Sequence, residues 1–143
     1  MDHRGAISNL LFEYARRIDS GDFAGVAELF RHGIISTPQG DVVGYDAVLA
    51  MYRQSTRLYE DGTPGTRHLT TNLAITLDGE QARCDSYFTV LQALPDFPLQ
   101  TIISGRYEDE LALVQDQWQF RCRRMFPDLL GDLSRHLLFE LGS

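Results

Sequence analysis

The spacing of apolar residues changes along this chain from a helical to an extended pattern, and this change limits the possible folds more than any other feature. The N-terminal segment predicts an amphipathic helix that ends at Asp19. Its apolar residues recur at helical spacing: Ile7, Leu10, Leu11, Tyr14, Ala15 and Ile18. Asp22 is placed to cap a second helix over Phe23 to Phe30. A third helix is predicted from Tyr45 to Tyr59.

The second half of the chain has the pattern of long strands joined by turns. The strongest turn signal is Asp78-Gly79, a pair typical of two-residue hairpins. The tail from Pro127 onward is expected to be helix-like or irregular. The predicted strands are 70–77, 81–94, 99–114 and 118–125, after two short extended pieces at 33–37 and 42–44. This order indicates an α+β fold in which a curved sheet wraps around the helices and leaves a concave interior.

Length and charge narrow the class of protein. The 143 residues suit one domain, so we expect a single domain over residues 1–143. The net charge is −7, which argues against a nucleic-acid partner, because such contacts depend on clustered basic residues. Neither a signal peptide nor an apolar run of transmembrane length is present, so we expect a cytoplasmic protein with no membrane contact. Cys84 and Cys122 could form a disulfide between neighbouring strands, but we favour two buried thiols.

Asp19 and His68 are the strongest candidates for chemistry, although they lie far apart in the sequence. A carboxylate that orients an imidazole makes a general base, and histidine ordinarily titrates near neutral pH. The alternative is structural: Asp19 would bond backbone donors of the next helix, and His68 would be a satisfied histidine where a loop meets a strand. From the residues alone the structural interpretation is favoured.

Aromatic residues are the candidates for lining the interior. Tyr107 is the best of the tyrosines for polarising a carbonyl, because it alternates in phase with the inward positions of its strand. Core packing is the alternative for each tyrosine. Phe88 and Trp118 are expected in the core or the pocket wall. The tyrosines considered are Tyr14, Tyr52, Tyr87 and Tyr107.

The remaining charged side chains give no further site. Arg106 and Arg124 could hold an anionic substrate, but pairing with nearby carboxylates such as Glu108 and Asp109 is the favoured interpretation. His3, His32 and His136 are expected at the surface or in the tail. No His, Asp, Glu or Cys cluster has the spacing of metal ligands, and no glycine-rich loop follows a strand, so we expect no metal and no cofactor.

Four segments together resemble the SnoaL-like proteins of the nuclear-transport-factor-2-like superfamily. They are Tyr14 to Asp22 followed by Leu29-Phe30, Gly44 to Val48, His68 to Asn72, and Gly105 to Leu111 leading to Trp118-Gln119-Phe120. The resemblance implies a cone-like, partly closed barrel of a curved mixed sheet with three helices packed inside its opening. Members of this superfamily include polyketide cyclases, ketosteroid isomerases, scytalone dehydratase, hexachlorocyclohexane dehydrochlorinase and the small subunits of ring-hydroxylating dioxygenases.

The resemblance also assigns roles. Asp19 and His68 match the Asp–His pair of the dehydratase and the dehydrochlorinase, and Asn72 follows His68 at the spacing found in the latter. The second catalytic histidine of the dehydratase has no counterpart on the next strand, which here reads Asp85 to Thr89. The resemblance implies a small hydrophobic ligand, a homodimer, and either a cofactor-independent lyase or isomerase, with Asp19 and His68 as the general base, or a non-catalytic binding or accessory subunit.

Overall fold

The computed structural model describes residues 1–141. Helix α1 spans His3–Asp19. Asp2 caps its N-terminus, because its carboxylate accepts a hydrogen bond from a backbone N–H of the first turn. Helix α2 spans Phe23–Leu29, and Asp22 caps it in the same way. Asp19 is therefore the last residue of α1, three residues before the cap of the next helix.

Helix α3 spans Gly44–Ser55 and does not continue to Tyr59 as predicted. Thr56 has extended backbone angles and forms a β-bridge with Leu137. A β-branched threonine suits this extended conformation. Because α3 ends early, Thr56 and Arg57 are free to bind the backbone of His136 and Leu137.

Six strands form one mixed sheet, in the order β2-β1-β6-β5-β4-β3. β1 and β6 run parallel, and all other neighbours run antiparallel. Register shifts in the β3–β4, β4–β5 and β5–β6 pairs mark bulges, which bend the strands and curve the sheet. The strands are β1 Ile34–Thr37, β2 Gly40–Val43, β3 Thr66–Asp78, β4 Gln81–Leu94, β5 Phe97–Val114 and β6 Gln117–Leu130.

The helices and the inward faces of the strands share one apolar core. Ile7 and Leu11 of α1 are fully buried in it, and Phe30 stacks on Phe120 of β6 with ring centres 4.7 Å apart. This arrangement confirms the predicted α+β fold, with a curved, open, mixed sheet covered on its inner face by three helices. Within residues 1–141, no helix is long and apolar enough to cross a membrane.

Strand β6 is longer than predicted, because it continues from Met125 through Pro127 to Leu130. Pro127 lies where the register between β5 and β6 shifts, so its missing N–H removes no ladder hydrogen bond. The segment 131–141, called the C-terminal segment below, has no helix. It folds back over the edge of the helical layer, where the backbone N–H of Arg57 donates to the carbonyl of His136 at 2.8 Å.

Candidate functional site

A cavity of about 420 Å³ lies between the helices and the inner face of the sheet. This volume is within the range of small-molecule sites. Helices α1 and α3 contribute Tyr14 and Tyr52, the strands contribute His68, Phe88 and Tyr107, and the C-terminal segment closes one side. Most of the other side chains along its wall are apolar: Ile18, Val42, Met51, Val90, Ile103, Met125, Leu133, Leu137, Phe139 and Leu141.

Asp19 and His68 meet at one wall of this cavity. His68 Nδ1 lies 2.6 Å from Asp19 Oδ1. The same carboxylate accepts the backbone N–H of His68 at 2.8 Å and the hydroxyl of Thr66 at 2.9 Å. The junction between α1 and β3 therefore fixes the carboxylate before any ligand binds.

This geometry determines which nitrogen of His68 faces the ligand. An ionised carboxylate only accepts hydrogen bonds, so Nδ1 of the neutral imidazole carries the proton and Nε2 keeps its lone pair. Only 9% of the His68 side chain is exposed. His68 lines both the cavity and a cleft on the outer surface, whereas Asp19 lines only that cleft. An oriented base at the wall of an apolar cavity is the arrangement that proton abstraction requires.

Three tyrosines bring hydroxyl groups to the cavity. The hydroxyl groups of Tyr14 and Tyr52 are 2.5 Å apart. The ring of Tyr107 meets that of Tyr14 edge-to-face at 6.0 Å and stacks on Phe88 at 4.4 Å. Burial raises the pKa of Tyr14 and raises the pKa values of Tyr52 and Tyr107 further, so all three hydroxyls are protonated at neutral pH. They can act as hydrogen-bond donors to a ligand oxygen.

Arg123 and Asp109 form a fully buried ion pair next to the rings of Tyr14 and Tyr107. The sequence did not lead us to predict this pair. Two hydrogen bonds of 2.8 and 2.9 Å join the guanidinium to the carboxylate. The guanidinium lies 3.7 Å from the ring centre of Tyr107 and 4.3 Å from that of Tyr14. Burial alone would lower the pKa of Arg123, but the adjacent carboxylate raises it above the ordinary value. A signal was present, because Asp109 shares the inward phase of Tyr107 and a buried carboxylate requires a cation.

His136 lies in a different place from the one that the sequence predicted. It was expected at the surface or in the tail, but the residue is only 7% exposed and lines the cavity. Its ring centre lies 6.2 Å from that of His68. Burial, and secondarily the neighbouring His68, lower the pKa of His136 to about 4. No local pattern indicates this position, because it depends on the path of the C-terminal segment.

Three of the predicted ligand-binding residues do not line the cavity. Tyr87 precedes the inward-facing Phe88 and is 50% exposed, because alternate residues of a strand face opposite sides of the sheet. Asn72 lies in the bulge of β3 with φ of 55° and is exposed. Trp118 is buried near the N-terminus, where its indole N–H donates to His3 at 3.2 Å. The structure brings Tyr14, Tyr52, Phe88 and Tyr107 to the cavity together with His68.

The other candidates have structural partners. Arg106 pairs with Asp128 at 2.8 Å and Arg124 with Glu110 at 3.4 Å, both at the surface. The two cysteines are buried free thiols, as favoured, because β5 separates their strands in the sheet. No cluster of three or more possible metal ligands occurs within residues 1–141.

The fold and the cavity define a class: α+β proteins of cystatin-like type, in which a curved sheet and three helices enclose a cavity. The SnoaL-like domain family matches residues 1–124, and the chain belongs to this family. Among curated proteins, no sequence matches the chain significantly.

Solved structures agree with this assignment. A single-residue variant of Rv3472 from Mycobacterium tuberculosis, a protein of unknown function, has a TM-score of 0.75 and 27% identity over 89% of this chain and 72% of its own. A Nostoc punctiforme protein with a cystatin-like fold, also of unknown function, has a TM-score of 0.75 and 21% identity over 91% and 94% of the two chains. LinA has a TM-score of 0.72 and 18% identity, over 92% of this chain and 89% of its own. The last two likenesses concern the fold alone.

Proposed function

We propose that this protein is a cofactor-independent lyase or isomerase that removes a proton from carbon in a small hydrophobic substrate of aromatic, polyketide-like or steroid-like type. The observation that supports this proposal most directly is the contact of 2.6 Å between Asp19 and His68 at the wall of an apolar cavity. In the proposed reaction His68 is the general base, and Asp19 orients it.

The proposed first step moves one proton. His68 Nε2 takes a proton from a carbon next to a carbonyl, and the electron pair of the broken C–H bond moves towards the carbonyl oxygen. Asp19 stabilises the imidazolium that forms. An isomerase then returns the proton to another carbon, whereas a lyase expels a leaving group from the adjacent carbon.

The tyrosines fit the second role in this reaction, which is to stabilise charge on the carbonyl oxygen. Tyr14 and Tyr52 have two hydroxyl hydrogens between them, and their mutual hydrogen bond uses one. The Tyr107 hydroxyl also bonds to Tyr14, so the three hydroxyls together keep one hydrogen for the ligand. Such donors cost no reorganisation during the reaction, because packing holds their rings in place.

Proton exchange on a simple ketone tests the proposal without knowledge of the natural substrate. The probe is 2-tetralone in D₂O, with loss of its α-proton NMR signals followed across pH for wild type, His68→Ala and Asp19→Asn. We expect the wild type to accelerate exchange and His68→Ala to lose ~10²-fold or more of that acceleration. A surface variant, His32→Ala, serves as the control. Wild-type rates in both site variants would rule out this mechanism.

One observation favours a second candidate, a non-catalytic ligand-binding or accessory subunit. Asp19 also binds the Thr66 hydroxyl and the His68 backbone, so it has a structural task even without chemistry. In this case 2-tetralone would bind without accelerated exchange, and Asp19→Asn would lower only the stability. The homodimer and the cytoplasmic location remain predictions for either candidate.

A further inference from the structure

The cavity contains a polar group that the proposed proton transfer does not use. His136 lines the cavity on the side formed by the C-terminal segment, and its side chain is more than nine-tenths buried. Within residues 1–141, its Nδ1 atom has no hydrogen-bond partner. A buried polar atom without a partner is costly, so Nδ1 of His136 is a candidate for pairing with a polar group of a ligand.

The structure holds His136 firmly in this position. The carbonyl of Arg135 accepts the side-chain amide of Gln92 at 3.0 Å and also the hydroxyl of Tyr59. The next two residues are tied to the end of α3, where the backbone N–H of Leu138 donates to Ser55 at 2.9 Å. Hydrogen bonds on both sides of His136 therefore position its ring beside His68.

The two imidazoles differ in what they offer to a ligand. His68 directs its Nδ1 proton to Asp19, which leaves Nε2 as an acceptor. His136 is neutral above about pH 4, and a neutral imidazole has one donor and one acceptor nitrogen. The pair can therefore present an acceptor and a donor to the same ligand group.

We propose that His68 and His136 together bind one hydroxyl oxygen of the ligand, and that His136 gives the site its preference for an alcohol. A hydrogen-bonded oxygen lies ~2.8 Å from a nitrogen. One oxygen can thus reach two rings whose centres are 6.2 Å apart, a separation at which no hydrogen bond joins the rings directly. This inference rests on the proposed function only in requiring that the cavity accept a small apolar ligand. An alcohol bound in this way occupies the lone pair of His68 Nε2, so it competes with a ketone substrate for the base.

Other polar groups fit this position less well than a hydroxyl. A hydroxyl donates to His68 Nε2 and accepts from the N–H of His136. An ether or a ketone cannot donate, and an ammonium group cannot accept. A carboxylate would meet two neutral imidazoles near the negative charge of Asp19, with the cation Arg123 already paired.

A matched pair of two-ring compounds tests the inference by binding alone. The probes are 2-naphthol and 2-methoxynaphthalene, measured by titration calorimetry at pH 7. We expect wild type to bind the alcohol ~10-fold or more tightly than the ether, since the ether leaves the buried nitrogens unpaired. His136→Phe, which keeps a ring but no nitrogen, should abolish this preference, whereas the surface control His32→Phe should retain it.

A second measurement needs no variant. In ¹⁵N-edited NMR of wild type, 2-naphthol should shift the imidazole signals of both His68 and His136, and 2-methoxynaphthalene should not. Equal affinity for the two probes, or a preference that persists in His136→Phe, would overturn the inference and leave the proposed base intact. Failure of both probes to bind would also overturn the inference. Proton exchange on 2-tetralone tests the role of His68 as a base separately.

Discussion

Replacement of Asp109 with asparagine should destabilise this protein more than any change to a surface ion pair. The Arg123–Asp109 pair is fully buried and joined by two hydrogen bonds, and Nη1 of Arg123 has no partner within residues 1–141. Asp109→Asn leaves a buried guanidinium without a counter-charge. Loss of one partner of a buried pair costs ~3–5 kcal/mol, a large share of a total stability of ~5–15 kcal/mol.

Urea unfolding at pH 7 measures this cost. The matched control is Asp128→Asn, which breaks the Arg106–Asp128 pair between the same two strands, where the side chains are 46% and 39% exposed. We expect the control to lose much less stability, because exposed ion pairs contribute little to it. The double variant Asp109→Leu/Arg123→Met should be more stable than Asp109→Asn, because it leaves no uncompensated charge.

The comparison with the control can refute this reasoning. If Asp109→Asn lost no more stability than Asp128→Asn, the buried pair would not be a charged one. A double variant as unstable as Asp109→Asn would show that cavities or lost contacts with the rings of Tyr14 and Tyr107, and not the unpaired charge, dominate the cost. Thermal unfolding gives a second readout, since a loss of this size lowers Tm by on the order of 10 °C.

Two further predictions concern the walls of the cavity. Gly105→Ala should destabilise the protein by more than Gly79→Ala in urea unfolding. A Cβ at Gly105 would clash with the carbonyl oxygen of Phe126 and would lie 2.7 Å from the Phe88 ring. A Cβ at Gly79 meets nothing within 4 Å, so that variant bears only the cost of a non-glycine residue at a φ of 62°, ~1–2 kcal/mol. His136→Leu should make stability less dependent on pH. As pH falls from 6.5 to 4, the unfolded chain takes up a proton at His136 and the folded protein does not, so His136 alone should cost the wild type about 3 kcal/mol. Urea unfolding of both proteins at pH 7 and pH 4.5 measures the difference, and equal pH dependence would contradict the buried neutral state of His136.

Local patterns in the sequence predicted the elements of this fold well. The limits of β4 agree with the prediction because Asp78-Gly79 and Pro95 mark its ends. The end of α3 could not be predicted, because the bridge between Thr56 and Leu137 is a contact across the chain. The extension of β6 through Pro127 depends on a register shift, which periodicity does not reveal.

In the site, too, local patterns predicted some residues, whereas contacts between distant segments determined others. Tyr107 was predicted towards the interior from its phase along a strand, and Phe88 was expected in the core or the pocket wall. The structure places both at the cavity. Tyr87 and Asn72 were predicted to bind the ligand, but neither lines the cavity. Tyr87 faces outwards because of the alternation along β4, and Asn72 lies in the bulge of β3. His136 and Arg123 depend on how distant segments meet, so a reading of each segment by itself could not find them.

Asp19→Asn separates the structural from the chemical role of the carboxylate. The amide keeps one oxygen, which can still accept from the Thr66 hydroxyl or the His68 backbone N–H, so part of the junction between α1 and β3 survives. The amide nitrogen can only donate, and when it faces Nδ1 it forces the proton of His68 onto Nε2. The imidazole then has no lone pair towards the cavity, and the base is lost while the ring stays in place. We therefore expect 2-tetralone exchange to fall by ~10²–10⁴-fold, with a loss of stability of only ~1–3 kcal/mol. A variant that loses stability but exchanges at the wild-type rate would show that Asp19 serves the fold alone.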